Sequence, residues 1–165
     1  MQTFLPHASY KECAQSLDSK RLNKQILEGY QILNVNSGMS ETGAWRNHPA
    51  VLMWKKHEGN LLLYISEMIL EAKNRGIKTE GNEKNIATLK NKVGSSWNYN
   101  PPTWMLDDLK LIRVMTTHKY NLFKKDPLYY IKYQNVINSP YNTPCCSKQK
   151  IPCQYYWVAH ESRVQ

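Results

Sequence analysis

Lys20, Arg21, Lys24, Glu28 and Gln31 are the residues whose types and spacing come nearest to a reactive site. At 100° per residue they fall within about a third of a helical turn, opposite Leu22, Ile26, Tyr30 and Leu33. One carboxylate among three cations favours an ionised Glu28 and gives the face a strong affinity for anions. Leu27 and Ile32 border the stripe on its two sides. A fully solvated polar face would leave both aliphatic residues in water, so a partly enclosed groove fits better. The plainer alternative is a surface charge ladder with Lys24 and Glu28 as an i,i+4 ion pair.

Three junctions between loops and helices add to this inventory. Arg46-Asn47-His48-Pro49 sets polar side chains around a helix start, where free backbone N–H groups and the helix dipole favour a phosphate. Alternatively, His48 is only a cap and Arg46 is solvated. Thr117-His118-Lys119-Tyr120-Asn121, with Lys124 and Lys125, forms a second basic cluster in which His118 and Asn121 share a helix face, unless it is simply a solvated surface. Trp104 follows Pro101-Pro102-Thr103 at a third helix start. It and Trp157 are candidates to stack on a base, with core packing the competing fate.

The elements that must carry these residues read as helices joined by irregular loops. Ser9 and Glu12 form a capping box for a short first helix through Cys13, Ala14 and Leu17. Asp18 caps the next helix, which ends near Asn34, Asn36 and Gly38. After a loop from Ser37 to His48, Pro49 opens one long helix through Trp54, Leu61, Tyr64 and Met68 to Gly76, with Gly59 as its weak point. A shorter polar helix follows over 82–93, then a loop over 95–102. Thr103 caps a helix carrying Leu106, Leu109 and Ile112 to about Lys125, and Asp126-Pro127 restarts a short one bearing Tyr129, Tyr130 and Tyr133. The pattern predicts a mainly α, single compact domain of four to six helices over 1–165, with a core over 1–133 and a coil-like tail over 134–165.

Composition narrows the partner. The chain has 165 residues, with 22 Lys and Arg against 13 Asp and Glu and a formal charge of +9, which implies an anionic partner. Nucleic acid comes first and an anionic membrane second, since nothing approaches the roughly 20 apolar residues of a membrane span. Eleven Tyr and five Trp against two Phe favour rings with a polar edge, suited to stacking on bases. The start Met-Gln-Thr-Phe-Leu-Pro shows no secretion signal, so a cytoplasmic protein with reduced thiols is expected. Cys145, Cys146, Cys153 and His160 lack the spacing of a structural zinc site, so neither metal nor cofactor is expected.

Taken in order, Asp18-x-Lys20 with Lys24, Glu28 and Gln31, then Asn47-His48-Pro49 with Trp54, then Asn74-Arg75-Gly76, Pro102-x-Trp104, and His118-x2-Asn121-Leu122 with Lys125-Asp126-Pro127 and Tyr130, resemble the phage and bacterial pyrimidine-dimer DNA glycosylases of the small α-helical endonuclease V type. The resemblance runs over roughly residues 1–133. It implies a phage- or bacterium-encoded repair enzyme whose arginines clamp kinked duplex DNA carrying a damaged base; a monomer is expected, with Lys20, Arg21, Arg46, Asn47, His48, His118, Asn121, Lys124, Lys125 and Trp104 as its DNA contacts. It also implies attack on the sugar C1′ by an N-terminal α-amine, an imine that expels the base, and strand cleavage by β-elimination (AP lyase activity). An α-amine with pKa near 7.8 is roughly one-tenth neutral at pH 7, far more than an ordinary lysine. Gln2 is a poor residue for removal of the initiator, so Met1 is the expected source of the amine, with Lys24 as the alternative. Glu28 is the expected active-site carboxylate, with Asp18 second, although an ungapped comparison places Asn23 opposite the family's glutamate. Two further routes stay open: water activated by the carboxylate, and a DNA-binding protein that kept the scaffold without the chemistry.

Overall fold

The computed structural model describes residues 1–94 and 96–138, within which every regular element is a helix. In chain order these are α1 (Tyr10–Ser16), α2 (Ser19–Asn36), α3 (Pro49–Leu52), α4 (Glu58–Asn74), α5 (Glu80–Val93), α6 (Thr103–Leu106), α7 (Asp108–Lys125) and a closing 3-10 helix (Ile131–Asn138). Cys145, Cys146, Cys153, Tyr155, Tyr156, Trp157 and His160 fall outside the described residues, as does most of the tail expected over 134–165.

Local chemistry sets the first two helices. Ser9 caps α1 by accepting from the Glu12 N–H at 3.4 Å, and Asp18 caps α2 by accepting from the Arg21 N–H at 3.0 Å. Arg75, from the resemblance, turns out to be a clamp on the corner between them. Its guanidinium donates to the carbonyls of Leu17 at 2.6 Å, Gln15 at 3.2 Å and Ala14 at 3.3 Å, and pairs with Glu71. The free carbonyls at the end of α1 are thereby satisfied from the end of α4.

α4 packs against both α1 and α2, and the core forms where Leu22, Ile26, Ile32 and Leu33 of α2 meet Leu61, Tyr64, Ile65 and Met68 of α4, all fully buried. Gly29 is the point of closest approach, because a Cβ there would lie 2.6 Å from the Ile65 side chain. A larger residue would push α4 away from the helix that carries Glu28.

Two expected helices are each broken in two. The long helix from Pro49 to Gly76 ends at Leu52 and resumes at Glu58, with Lys56 at φ 66° in the left-handed region. The break is held by the loop over 96–100: Asn98 donates its side-chain amide to the Lys56 carbonyl at 2.9 Å and its carbonyl accepts from the Asn60 N–H at 3.2 Å. Gly59 is therefore no weak point in a continuous helix. It is where the Tyr99 ring packs, 2.7 Å from where a Cβ would stand. The helix expected from Thr103 to Lys125 breaks at Asp107, whose extended backbone and side chain cap α7 by accepting from the Lys110 N–H at 3.1 Å. These breaks raise the count to seven α-helices among the described residues, against the four to six expected.

Candidate active site

Residues 2–5 form an extended strap lying along one flank of α2, antiparallel to it, and side chains take its backbone N–H groups in turn. Glu28 Oε2 accepts from Gln2 at 3.0 Å, Gln25 Oε1 from Phe4 at 2.8 Å, and His118 Nδ1 from Leu5 at 2.7 Å. The Tyr64 hydroxyl lies 2.7 Å from Gln25 Oε1 and 2.9 Å from the Phe4 carbonyl, and Trp54 Nε1 donates to Thr3 Oγ1 at 3.1 Å. Each of these anchors is buried, so the strap runs where backbone groups need protein partners.

The strap delivers the chain's first amine to a carboxylate. The Met1 nitrogen lies 3.9 Å from Glu28 Oε1, with both side chains largely enclosed. Lys24 Nζ approaches the same oxygen at 3.6 Å while remaining 66% exposed. Glu28 is itself only 8% exposed. The polar stripe of α2 is thus split: the strap covers the flank with Glu28 and Gln25, and leaves Lys20, Lys24, Leu27 and Gln31 exposed.

Two cavities border Met1. The first, about 250 Å³, is lined by Lys20, Arg21, Lys24, Glu28 and Lys125 among others. The second, about 260 Å³, lies further along α2 and is lined by Tyr30, Gln31, Asn34, Ser40 and Trp45. His48 is close to this centre. Burial, and after it the positive charge of the Met1 amine, hold its imidazole below the ordinary histidine range. Its Nδ1 accepts from the Ala50 N–H at 3.1 Å, capping α3, and its ring meets Trp45 edge-on at 5.4 Å.

The remaining sequence candidates separate clearly. Asp18 is engaged as a cap: its carboxylate also accepts from Arg21 Nη1 at 2.7 Å and from the Tyr130 hydroxyl at 2.6 Å. Burial pushes that carboxyl up, and these hydrogen bonds more than offset it, so its net position is below the usual range. Arg21 is tied to Asp18 and lies 3.9 Å from Asp126. Arg46, Asn47, Lys124 and Lys125 are exposed, and Asn121 is half-buried.

Two expected DNA contacts are corrected. Trp104 is buried, donates Nε1 to the Met53 carbonyl at 2.9 Å and packs edge-on to Trp54, so its ring has no free face for a base. His118 is fully buried beneath the strap, where desolvation lowers its pKa to about 3 and keeps it neutral, the form in which Nδ1 can accept. Neither reaches a duplex from these positions.

Gln25, Tyr64 and Thr3 were missed. One signal for Gln25 was present: it lies within about 60° of Leu22 on the apolar face of α2, a polar side chain where the period asks for an apolar one. Among the described residues no group of three or more His, Cys, Asp or Glu side chains is placed to hold a metal, and no helix is long and apolar enough to cross a membrane.

A family model for pyrimidine dimer DNA glycosylases matches residues 1–85, which span the strap, Glu28, the His48 junction and all of α4. The chain belongs to that family. Its members are DNA repair glycosylases, and the match ends short of residue 133, the limit of the resemblance in the sequence. No curated protein and no solved structure matches the chain. The family match thus covers the whole strap and its anchors on α2 and α4, while His118 and Lys125 lie beyond it.

Proposed function

We propose that this glycosylase excises a damaged base, a pyrimidine dimer by family, through attack of the Met1 α-amine on the sugar C1′. The amine lone pair forms the new C–N bond while the glycosidic bond breaks, its electrons leaving with the base. Glu28 stabilises the positive charge that develops on the sugar ring as the glycosidic bond breaks, and afterwards moves the protons. The ring-opened product is an imine between the Met1 nitrogen and C1′. Loss of a C2′ proton from it expels the 3′ phosphate, which is the AP lyase step. Lys20, Arg21, Lys24 and Lys125 hold the flanking phosphates, with Arg46, Asn47 and Lys124 on the approach to the duplex.

The observation that carries this proposal is the Met1 nitrogen 3.9 Å from Glu28, at the edge of a cavity lined by four cationic side chains. Lys24 is the lesser candidate nucleophile, because its head group stays mostly in water. The test is borohydride trapping on duplexes carrying a cyclobutane dimer or an abasic site. The expected result is a covalent enzyme–DNA adduct that is lost when the α-amine is blocked by reductive methylation under conditions that spare Lys24. Cleavage of the glycosidic bond without an adduct would replace the amine by water activated by Glu28. No turnover on any modified duplex would leave a DNA-binding protein on the same scaffold.

A further inference from the structure

Leu128 is 88% exposed, the most exposed large apolar side chain among the described residues, and Ile131 and Tyr129 beside it are about half exposed. A single wet leucine needs no explanation, but this group comes from one short stretch over 127–131 in which Pro127 is exposed as well. The stretch is also firmly held. Asp126 Oδ1 accepts from the Tyr129 N–H at 3.1 Å, the Asp126 carbonyl accepts from the Tyr130 N–H at 3.0 Å, and Pro127 fixes the backbone between them. From below, the Tyr130 hydroxyl donates to Asp18 at 2.6 Å and the Tyr129 hydroxyl to the Leu17 carbonyl at 3.3 Å. The two tyrosines pin the turn to the start of α2, and Leu128 is left standing in water.

The surroundings say what such a knuckle fits. The turn continues directly from Lys125 of the cationic cavity, and Asp126 lies 3.9 Å from Arg21 of the same lining. Lys124, Lys125 and Lys132 are exposed on either side of it. Cations around an apolar tip match a duplex, which carries phosphates outside and apolar base faces within. A second copy of this chain, with its formal charge of +9, would set lysines against lysines.

We infer that Leu128 is a wedge that enters the base stack of the bound duplex beside the lesion and holds it bent. The inference rests on the proposed action of the site on duplex DNA and adds a residue to it. Leu128 touches none of the reacting atoms, so it is a positioning residue. The two bases of a cyclobutane dimer are covalently joined, and the entry point is therefore a step flanking them. Inserting an apolar side chain costs the stacking of that step, and the cost is lowest where damage has already weakened the stack. Because the turn is braced before DNA arrives, little ordering is left to offset the gain. Leu128 thereby favours a lesion over undamaged DNA without reading any base.

The test compares the native chain with Leu128→Ala and Leu128→Met on two duplexes of one sequence. One carries a tetrahydrofuran abasic analogue, which an amine cannot attack, with 2-aminopurine as the next base; the other carries the 2-aminopurine but no lesion. Leu128→Ala should bind the lesion duplex about tenfold or more weakly, the worth of burying a leucine side chain. Its affinity for the undamaged duplex should stay within about twofold, because no phosphate contact is removed. Leu128→Met keeps the apolar bulk and should stay within about threefold of native on both. At saturation the native chain and Leu128→Met should raise the 2-aminopurine fluorescence on the lesion duplex, as an unstacked base does, and Leu128→Ala should not. Equal weakening on both duplexes, no weakening on either, no rise with the native chain, or a Leu128→Met as poor as Leu128→Ala would each overturn the wedge. So would self-association of the native chain that disappears in Leu128→Ala, which would give the knuckle to a second copy. A native chain that raises the fluorescence yet forms no borohydride adduct on a true abasic site would keep the wedge and remove the proposed attack by the amine.

Discussion

The buried anchors of the strap and the cationic rim above it are both polar and both belong to the candidate site, yet they differ in what surrounds each group. Glu28, Gln25 and His118 each hold one backbone N–H away from water at 2.7–3.0 Å. Lys20, Lys24, Lys125 and Arg46 keep their head groups in water. A buried acceptor is expensive to remove because its donor is left unpaired, whereas an exposed cation contributes little to folding and acts through a long-range field. The anchors therefore set where the amine sits, and under the proposed function the rim sets how DNA arrives.

The largest effect expected from breaking this contrast lies at Glu28, the one anchor with a proposed catalytic role. Glu28→Gln retains an acceptor for the Gln2 N–H and removes the charge beside the Met1 amine. Cleavage of the glycosidic bond should fall by about 10²–10⁴-fold, as for loss of a general acid–base group, with an unchanged far-ultraviolet circular dichroism spectrum. A smaller fall would move Glu28 from chemistry to anchoring alone. Next comes His118→Leu, which leaves the Leu5 N–H buried without its acceptor and should cost about 1–3 kcal/mol in urea denaturation. His118→Asn offers an amide oxygen near the same place and should recover most of that loss.

A third effect is pH dependence. Burial lowers His118 from 6.5 to about 3, so between those values the unfolded chain binds a proton that the folded chain refuses. Its effect is absent above about pH 6.5, and stability declines as the pH falls toward 3, by at most about 1.4 kcal/mol per pH unit. The lowered values of His7 and His48 act in the same direction. Urea midpoints at pH 7 and pH 5 should differ in the native chain and differ less in His118→Asn. Equal slopes in the two proteins would remove the buried histidine as the cause.

How much of this could be read from the chain depends on how far apart the partners are. The caps at Ser9 and Asp18 were legible because donor and acceptor are three residues apart. The helical class and the buried face of α2 were legible from period alone. The position of His118 was not, because the group it serves is 113 residues away and a histidine near lysines looks like a surface cluster. The break after Leu52 was equally hidden, since its partners Asn98 and Asn100 come from a distant loop. Glu28 lay between these extremes. Its helix face was legible, but the strap that encloses it has no periodic pattern to announce it.

The smallest effects should come from the rim. Lys20→Ala and Arg46→Ala change exposed side chains, so folding stability should stay within about 0.5 kcal/mol. Lys24→Ala also removes an ion pair to Glu28, but a lysine 66% exposed in an i,i+4 pair contributes no more than about 0.5 kcal/mol. The effect belongs in binding to undamaged duplex. Each cation that touches a phosphate should reduce the slope of log affinity against log salt by about 0.9 when removed, with affinity falling uniformly across sequences. A Lys20→Ala protein whose salt slope equals that of the native chain would show that the duplex approaches from another face. The cationic cavity would then serve only the sugar-phosphate at the reaction centre, and the division between anchors and rim would have to be redrawn around Met1 alone.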